Sequence, residues 1–284
     1  MEMQKILVRE KFAIPTFVKW AGGKAQLLEQ YSPLFPKKFN AYFEPFLGSG
    51  AVFFDIKQKF SPRYSMLSDV NEDLINTFKM VRDNPEQLID LLKEHRDRDN
   101  SREYFNKQRE LFNNMKSGLD KASLFIYLNK TCFNGLYRVN ARGEFNVPYG
   151  KYKKPAIVQE EKIRKASKLL EGAEILATDF ASAVNKAERG DFIYFDPPYF
   201  PLSKTSSFTS YQKGVFLEKE QKQLSEVFKK LDKKGCLVML SNSDTQFIRD
   251  LYKGYDIITV KARRAINCIG TGRGLINEIV VKNY

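Results

Sequence analysis

The feature that most constrains this chain is an extended aromatic run, Ala41-Tyr42-Phe43-Glu44, which meets Pro45-Phe46-Leu47-Gly48-Ser49-Gly50 and then a helical pattern. Strand, glycine loop and helix in that order open a nucleotide-binding α/β unit. The glycines let a ligand approach the backbone and leave main-chain N–H donors available to it. Gly-x-Gly alone is a weak signal, since a tight turn reads the same way. Asp69 strengthens it, lying 21 residues after Gly48 at the end of the next expected strand, Tyr64–Ser68. An acid about 20 residues beyond such a loop is where a ribose diol is held. The loop lacks the Lys-Ser/Thr of a phosphate cradle, and Phe53 stands where a dinucleotide motif has its third glycine. ATP and NAD are therefore disfavoured, and a nucleoside without a phosphate chain fits best.

The rest of the chain continues the alternation. A helix is expected from about Asn71, then strands near Ala173–Ala177, Asp191–Phe195 and Gly235–Leu240, with helices near Leu217–Leu231 and Asp244–Leu251. Two last strands, near Ile257–Arg263 and Glu278–Asn283, are expected to pair antiparallel around a loop holding Gly270, Gly272 and Gly274. This pattern implies an α/β fold with a doubly wound, mostly parallel sheet. The stretch 85–155 breaks the rhythm. Polar helices lead into the apolar Ala122–Asn129, then into a run in which Asn134-Gly135 and Arg142-Gly143 read as hairpin turns. The expected organisation is a discontinuous nucleoside-binding domain, 1–84 and 156–284, with 85–155 inserted as a helical and hairpin module.

Charge gathers in and beside that module. The chain has 47 Lys+Arg against 34 Asp+Glu, a net charge of +13. Ten basic and three acidic residues lie between Lys121 and Lys165, so over half the excess falls in one short segment. Such clustering is the footprint of a polyanion partner, nucleic acid above all. No run approaches the roughly 20 apolar residues that span a bilayer. Met1 to Lys11 also lacks the apolar core of a signal peptide. Cys132, Cys236 and Cys268 are odd in number and set apart, and read as reduced thiols of a cytoplasmic protein, with no metal knuckle. The sole histidine, His95, lies in a charged helical stretch and reads as solvated. Its isolation argues against histidine-activated nucleophiles and zincin-type metal sites.

The sharpest motif is Ile193-Tyr194-Phe195-Asp196-Pro197-Pro198-Tyr199. An apolar strand delivers Asp-Pro-Pro-Tyr to its carboxyl end, where open α/β sheets bind ligands. Two prolines stiffen the turn and remove two N–H groups. The result is a ledge with a side-chain acceptor, Asp196, a backbone acceptor, Pro197, and an aromatic face, Tyr199. That set suits an amino group on a flat heteroaromatic ring. Two acceptors would hold both N–H bonds, and stacking would fix the ring plane. S-adenosylmethionine is a nucleoside without a phosphate chain and would serve as donor to such an amino group. A third segment, Phe17-Val18-Lys19-Trp20-Ala21-Gly22-Gly23-Lys24, puts the single Trp beside two glycines and between lysines. By itself it reads equally as a packed turn.

Together these residues resemble the DNA adenine methylase (Dam) family, in its GATC-methylating, DpnM-like subgroup. The likeness runs through Lys19–Lys24, Glu44–Gly50, Ser68–Asn71, Phe133–Arg138, Gly143–Gly150 and Asp196–Tyr199 in family order and covers nearly the whole chain. It implies the S-adenosylmethionine-dependent methyltransferase fold with an inserted DNA-recognition domain. It also implies methyl transfer to N6 of an adenine flipped out of duplex DNA. Trp20, Lys24, Asp69 and Asp196 would line the cofactor site with Phe46 and Gly48 beside it, and Asp179 and Phe180 would hold the cofactor's adenine. Asp196, Pro197 and Tyr199 would be catalytic. Lys19 and Arg138 would contact guanines, Leu136 with Pro148 a thymine methyl, and Phe133 would wedge into the stack. Asn134 and Asn140 complete the hairpin's share, and Arg109 is the phosphate candidate in 97–116, where no motif aligns. No metal is implied, nor any oligomer; a restriction endonuclease acting on the same site is a conceivable partner.

Two other readings stay open at this level. A methyltransferase of RNA adenine or protein glutamine uses a similar Pro-Pro-Tyr ledge, although the basic hairpin favours DNA. A DNA-binding protein without catalysis would have no use for an intact Asp69 and Asp196-Pro197-Pro198-Tyr199.

Overall fold

The computed structural model describes residues 13–202, 216–263 and 275–284. The loop expected around Gly270, Gly272 and Gly274 lies outside the described residues, as does Cys268. In chain order, β1 (Tyr42–Glu44) leads through the glycine loop into α1 (Ala51–Phe60), and β2 (Ser65–Asp69) into α2 (Glu72–Asp83). Then come α3 (Pro85–Arg96), α4 (Arg102–Asn114), α5 (Leu119–Thr131) and α6 (Glu160–Leu170). They are followed by β3 (Glu174–Ala177), the short α7 (Phe180–Ala183), β4 (Phe192–Phe195), α8 (Glu218–Lys234), β5 (Leu237–Ser243), α9 (Gln246–Leu251), β6 (Asp256–Arg263) and β7 (Leu275–Lys282).

The strands form one sheet in the order β3-β2-β1-β4-β5-β7-β6. β1 runs parallel to both β2 and β4, and β4 parallel to β5. β7 is antiparallel to both β5 and β6. The doubly wound, mostly parallel sheet and its antiparallel end are thus present as expected. One strand is longer than its hydrophobic pattern. The apolar run of β5 stops at Leu240, yet Ser241, Asn242 and Ser243 continue the strand, because each pairs with β7, at Val280, Ile279 and Glu278. Cross-strand hydrogen bonding carries the polar residues past the point where the side-chain pattern ends.

The chain divides into two compact units. One comprises Met1–Ala25, Gly48–Ser61 and Asp69–Ala177, the other Gln26–Leu47, Pro62–Ser68 and Thr178–Tyr284. The second unit is organised by an apolar core in which Phe43, Ile193, Phe195, Val238 and Leu240 of the strands meet Leu224, Phe228 and Leu231 of α8. The first unit is built around α5, which is buried from Lys121 through Thr131. A helix enclosed on all sides reads in sequence as a continuous apolar stretch rather than a stripe.

Two expectations are corrected here. His95 is not a solvated side chain. Its Nδ1 lies 2.8 Å from the Tyr104 hydroxyl, and its ring stacks on Tyr127 at 4.8 Å. Burial holds its pKa down to about 4, so the ring is neutral at pH 7. The basic cluster is also not all surface. Lys121 is buried and pairs with Asp73 at 2.8 Å, while Lys130 is buried with its ammonium on the Gln159 side-chain oxygen at 3.0 Å. Arg164 forms a two-pronged pair with Glu86, both bonds 2.8 Å. Burial takes Lys121 and Lys130 off the surface, and Glu86 offsets the partly exposed Arg164, so the load left for a polyanion is smaller than the raw count.

Candidate active site

In the first unit the glycine loop and Asp69 form a closed hydrogen-bonded corner. Gly48 N–H donates to Asp69 Oδ2 at 3.1 Å, and Asn71 N–H donates to Oδ1 at 3.0 Å. Burial raises the Asp69 carboxyl above the usual carboxylate range, and the backbone N–H groups of Asn71, Gly48 and Val70 oppose that rise. Gly48 has φ 49°, and a Cβ there would come within 2.9 Å of Trp20 Cδ1. Glycine is therefore required twice, for its backbone conformation and for the approach of the indole. Trp20 lies half-buried and stacks on Tyr137 at 5.8 Å and Phe125 at 6.4 Å. Lys24 is buried, with Nζ donating to the Gly22 carbonyl at 2.7 Å.

In the second unit Asp196 stands directly beyond β4. Its Oδ1 accepts from the Ser241 hydroxyl at 2.9 Å, and that hydroxyl lies 2.9 Å from the Tyr194 hydroxyl. Tyr199 donates to Glu278 Oε2 at 2.7 Å. Burial, with Tyr31, Asp196 and Glu278 close by, holds the Tyr199 hydroxyl well above the usual phenol range, so it remains a donor. The Pro198 carbonyl accepts from Gln221 Nε2 at 3.0 Å. Among the described residues the Pro197 carbonyl takes no hydrogen bond. The same unit gathers Phe46, Phe180, Phe195 and Phe216, with Phe46 stacked on Phe180 at 5.5 Å and 22°. Asp179 is exposed and caps α7. Its carboxylate accepts from the Ala181 and Ser182 amides and the Ser182 hydroxyl, which holds its pKa low.

The hairpin candidates all belong to the first unit. Asn134 and Gly135 both have positive φ, 55° and 63°, and Leu136 N–H donates to the Phe133 carbonyl at 3.3 Å. That is the mirror-image tight turn that Asn-Gly favours. Phe133 is 51% exposed, a large apolar side chain without cover. Pro148 is exposed, and its carbonyl accepts from Phe133 N–H at 2.8 Å. Leu136 is half-buried. Arg138 is exposed and reaches across to Asn146, with Nε on Oδ1 at 2.8 Å and Nη2 on the carbonyl at 3.2 Å. The Asn140 side chain is committed to the second turn, accepting from the amides of Arg142 and Glu144 and donating to Glu144 Oε2 at 2.7 Å. Arg109 is half-buried and donates to the Val147 carbonyl at 3.5 Å. Lys19 is exposed, with its ammonium 4.6 Å from the Tyr152 ring centroid.

Residues 20–266 match the family model of the D12 class N6 adenine-specific DNA methyltransferases. The chain belongs to that family. It is 44% identical to the type II methyltransferase M1.LlaDCHI of Lactococcus lactis subsp. cremoris, over 98% of this chain and 99% of that protein. It is also 44% identical to the type II methyltransferase M.MjaIII of Methanocaldococcus jannaschii, over 95% and 99%. A DNA adenine methylase of Escherichia coli K12 shares 37% identity over 93% of each chain. The resemblance read from the motifs is therefore shown, and the chain is an adenine-specific DNA methyltransferase.

Several residues of this methyltransferase that bear on the site were not singled out from its sequence. Ser241 orients Asp196, and Gln221, Asn242 and Ser243 tie down the segment behind it. One signal was available: Ser241-Asn242-Ser243 follows an apolar run just as Asp196 does. Asn129 is the other omission. It is buried in α5, and its amide takes both backbone groups of Lys19, at 2.7 and 2.8 Å, and the Gly135 carbonyl at 3.1 Å. A lone Asn inside the apolar stretch of α5 was its signal, since a buried amide has to be satisfied.

Proposed function

We propose that the methyltransferase acts on adenine within GATC in duplex DNA, with S-adenosylmethionine as donor and the target base flipped out of the helix. The observation that carries this reading is the ledge. An acceptor side chain, Asp196, stands beside a Pro197 carbonyl that accepts no hydrogen bond among the described residues. S-adenosylmethionine supplies an electrophilic methyl group. Asp69 suits its ribose, because the carboxylate keeps acceptor capacity after the Gly48, Asn71 and Val70 amides are satisfied. Trp20, Lys24, Phe46, Gly48, Asp179 and Phe180 complete the proposed cofactor set. Asp179 is the weakest member, since its carboxylate already caps α7.

Asp196 and the Pro197 carbonyl receive the two N–H bonds of the adenine amino group, and Tyr199 stacks on the ring. Transfer would break the donor's S–CH3 bond, leaving a neutral thioether, as the N–CH3 bond forms. Both acceptors would stabilise the positive charge growing on the nitrogen more strongly than in the ground state, and one N–H proton would then leave to Asp196 or solvent. A base inside a duplex cannot reach such a ledge, so flipping is required. Residues 85–155 act as the recognition domain. Lys19 and Arg138 read guanines, Leu136 and Pro148 a thymine methyl, and Arg109 a phosphate, while Phe133 fills the vacated stack. Asn134 and Asn140 shape the hairpin that presents them. The exposure of Phe133 and Arg138 supports these roles. A cytoplasmic enzyme sharing its site with a restriction endonuclease fits this reading and the type II names of the relatives.

The test is to express the chain in a host lacking adenine methylation and map methylated adenines on its plasmid DNA. Modification confined to GATC is expected. Methylation at another sequence would overturn the GATC assignment, and none would overturn the proposed activity.

A further inference from the structure

We infer that Gln221 and Asn242 are positioning residues that decide which carbonyl of the ledge is offered to the adenine amino group. The inference rests on the proposed reading of Asp196, Pro197 and Tyr199 as the amino-binding ledge. Gln221 lies in the first turn of α8 and Asn242 near the end of β5, and both are 0% exposed. Buried side-chain amides in this setting have to satisfy their polar atoms within the protein.

The direction of every hydrogen bond in the pair follows from its end points. Phe200 N–H and Ser243 N–H approach Asn242 Oδ1 at 3.1 and 2.8 Å. Backbone N–H groups can only donate, so that atom is the amide oxygen. Asn242 Nδ2 must then donate, and it does so to Gln221 Oε1 at 3.0 Å. Gln221 Nε2 is left as the donor facing the Pro198 carbonyl, at 3.0 Å. Ser243 adds a further tie, its hydroxyl donating to the Phe200 carbonyl at 2.7 Å. No flip of either amide is compatible with this chain of partners, since each would set a carbonyl against a carbonyl.

This chain holds the ledge from behind. The Pro198 ring fixes that residue's φ, so anchoring its carbonyl also sets its ψ. The plane of the preceding peptide, which carries the Pro197 carbonyl, is then determined from its far side. One carbonyl is committed to Gln221, and the neighbouring one is left for the substrate. The adjacent Ser241 orients the other acceptor, Asp196, so three successive residues of β5 hold both halves of the ledge.

The test uses the full-length enzyme with Gln221→Met, which keeps the volume and loses the donor, and Gln221→Glu, which keeps the shape. With Gln221→Met, kcat should fall about 10- to 100-fold, the scale expected for a small misplacement of reacting groups. KM for DNA and the calorimetric Kd for S-adenosylmethionine should stay at wild-type values. Gln221→Glu should outperform Gln221→Met increasingly as pH falls, because a buried carboxyl that stays protonated regains a donor to the Pro198 carbonyl. Wild-type kcat in folded Gln221→Met, or a loss falling on cofactor Kd alone, overturns the inference. Should Gln221→Met not fold, a Gln221→Glu profile parallel to wild type overturns it. Asp196→Ala is the control for the underlying reading. If Asp196→Ala is inactive while Gln221→Met is unaffected, only the positioning role fails. If Asp196→Ala retains turnover, the ledge reading itself fails.

Discussion

Asp69 and Asp196 stand at the carboxyl ends of β2 and β4, yet the protein holds them by different means. Asp69 is gripped by main-chain donors, the amides of Gly48 and Asn71. Asp196 is oriented by the Ser241 side chain, and the prolines beyond it by Gln221. A backbone grip needs only a glycine loop, a strand end and a suitable interval between them, and it survives most changes of neighbouring side chain. A side-chain grip depends on particular residues brought in from another strand and another helix. The first arrangement suits binding of an invariant group such as a ribose. The second suits an acceptor whose orientation decides the rate.

The largest effect that would break this contrast is at Asp196. Asp196→Ala should lower single-turnover methyl transfer by about 10³-fold or more, the scale for losing a transition-state acceptor. Tritium transfer from labelled S-adenosylmethionine measures it, and near-normal turnover would remove Asp196 from the chemistry. Asp69→Ala comes next. It should weaken cofactor binding by about 1.5–3 kcal/mol, the range for hydrogen bonds to a charged group. Non-specific DNA binding should be unchanged. Calorimetry and a filter-binding titration separate the two, and unaltered cofactor affinity would contradict the ribose role.

Ser241→Ala should cost less, about tenfold in kcat, since it removes one hydrogen bond that orients Asp196 rather than the acceptor itself. Cofactor affinity should not change; a loss in Kd with kcat intact would show that the two acids do not divide the work as described. The smallest effect is a pH dependence. The Asp69 carboxyl is raised above its ordinary value by burial, so it protonates at a higher pH than a solvated carboxylate. Cofactor affinity should therefore decline as pH falls toward that raised value, and Asp69→Asn should flatten the decline. Stability runs the other way. The unfolded chain releases this proton first as pH rises, so stability falls between the unfolded and folded pKa values of Asp69 and stays lowered above them. Chemical denaturation of wild type and Asp69→Asn across acidic pH measures that sign, and a wild-type slope no different from that of the variant would show that burial does not govern this carboxyl.

The sequence by itself determined the sheet class, the pairing of the glycine loop with Asp69 and the family. Each depends on short-range regularities: the strand and helix alternation, the interval from Gly48 to Asp69, and Asp-Pro-Pro-Tyr after an apolar strand. Asn134-Gly135 likewise announced its turn, because both residues tolerate positive φ. Only the tertiary structure decided which charges of the basic cluster remain at the surface and that His95 is packed. Lys121 and Lys130 look alike in sequence to Lys151 or Lys153, and burial of a long cation shows only when its partner is in place. Nor could the sequence give Asn129, Gln221, Ser241 or Asn242 their partners, because polar side chains acquire a role from the atoms they meet. Those atoms lie as far as 110 residues away, as between Asn129 and Lys19. Local backbone preference is written in neighbouring residues, whereas hydrogen-bond complementarity across a core arises only when the chain has folded.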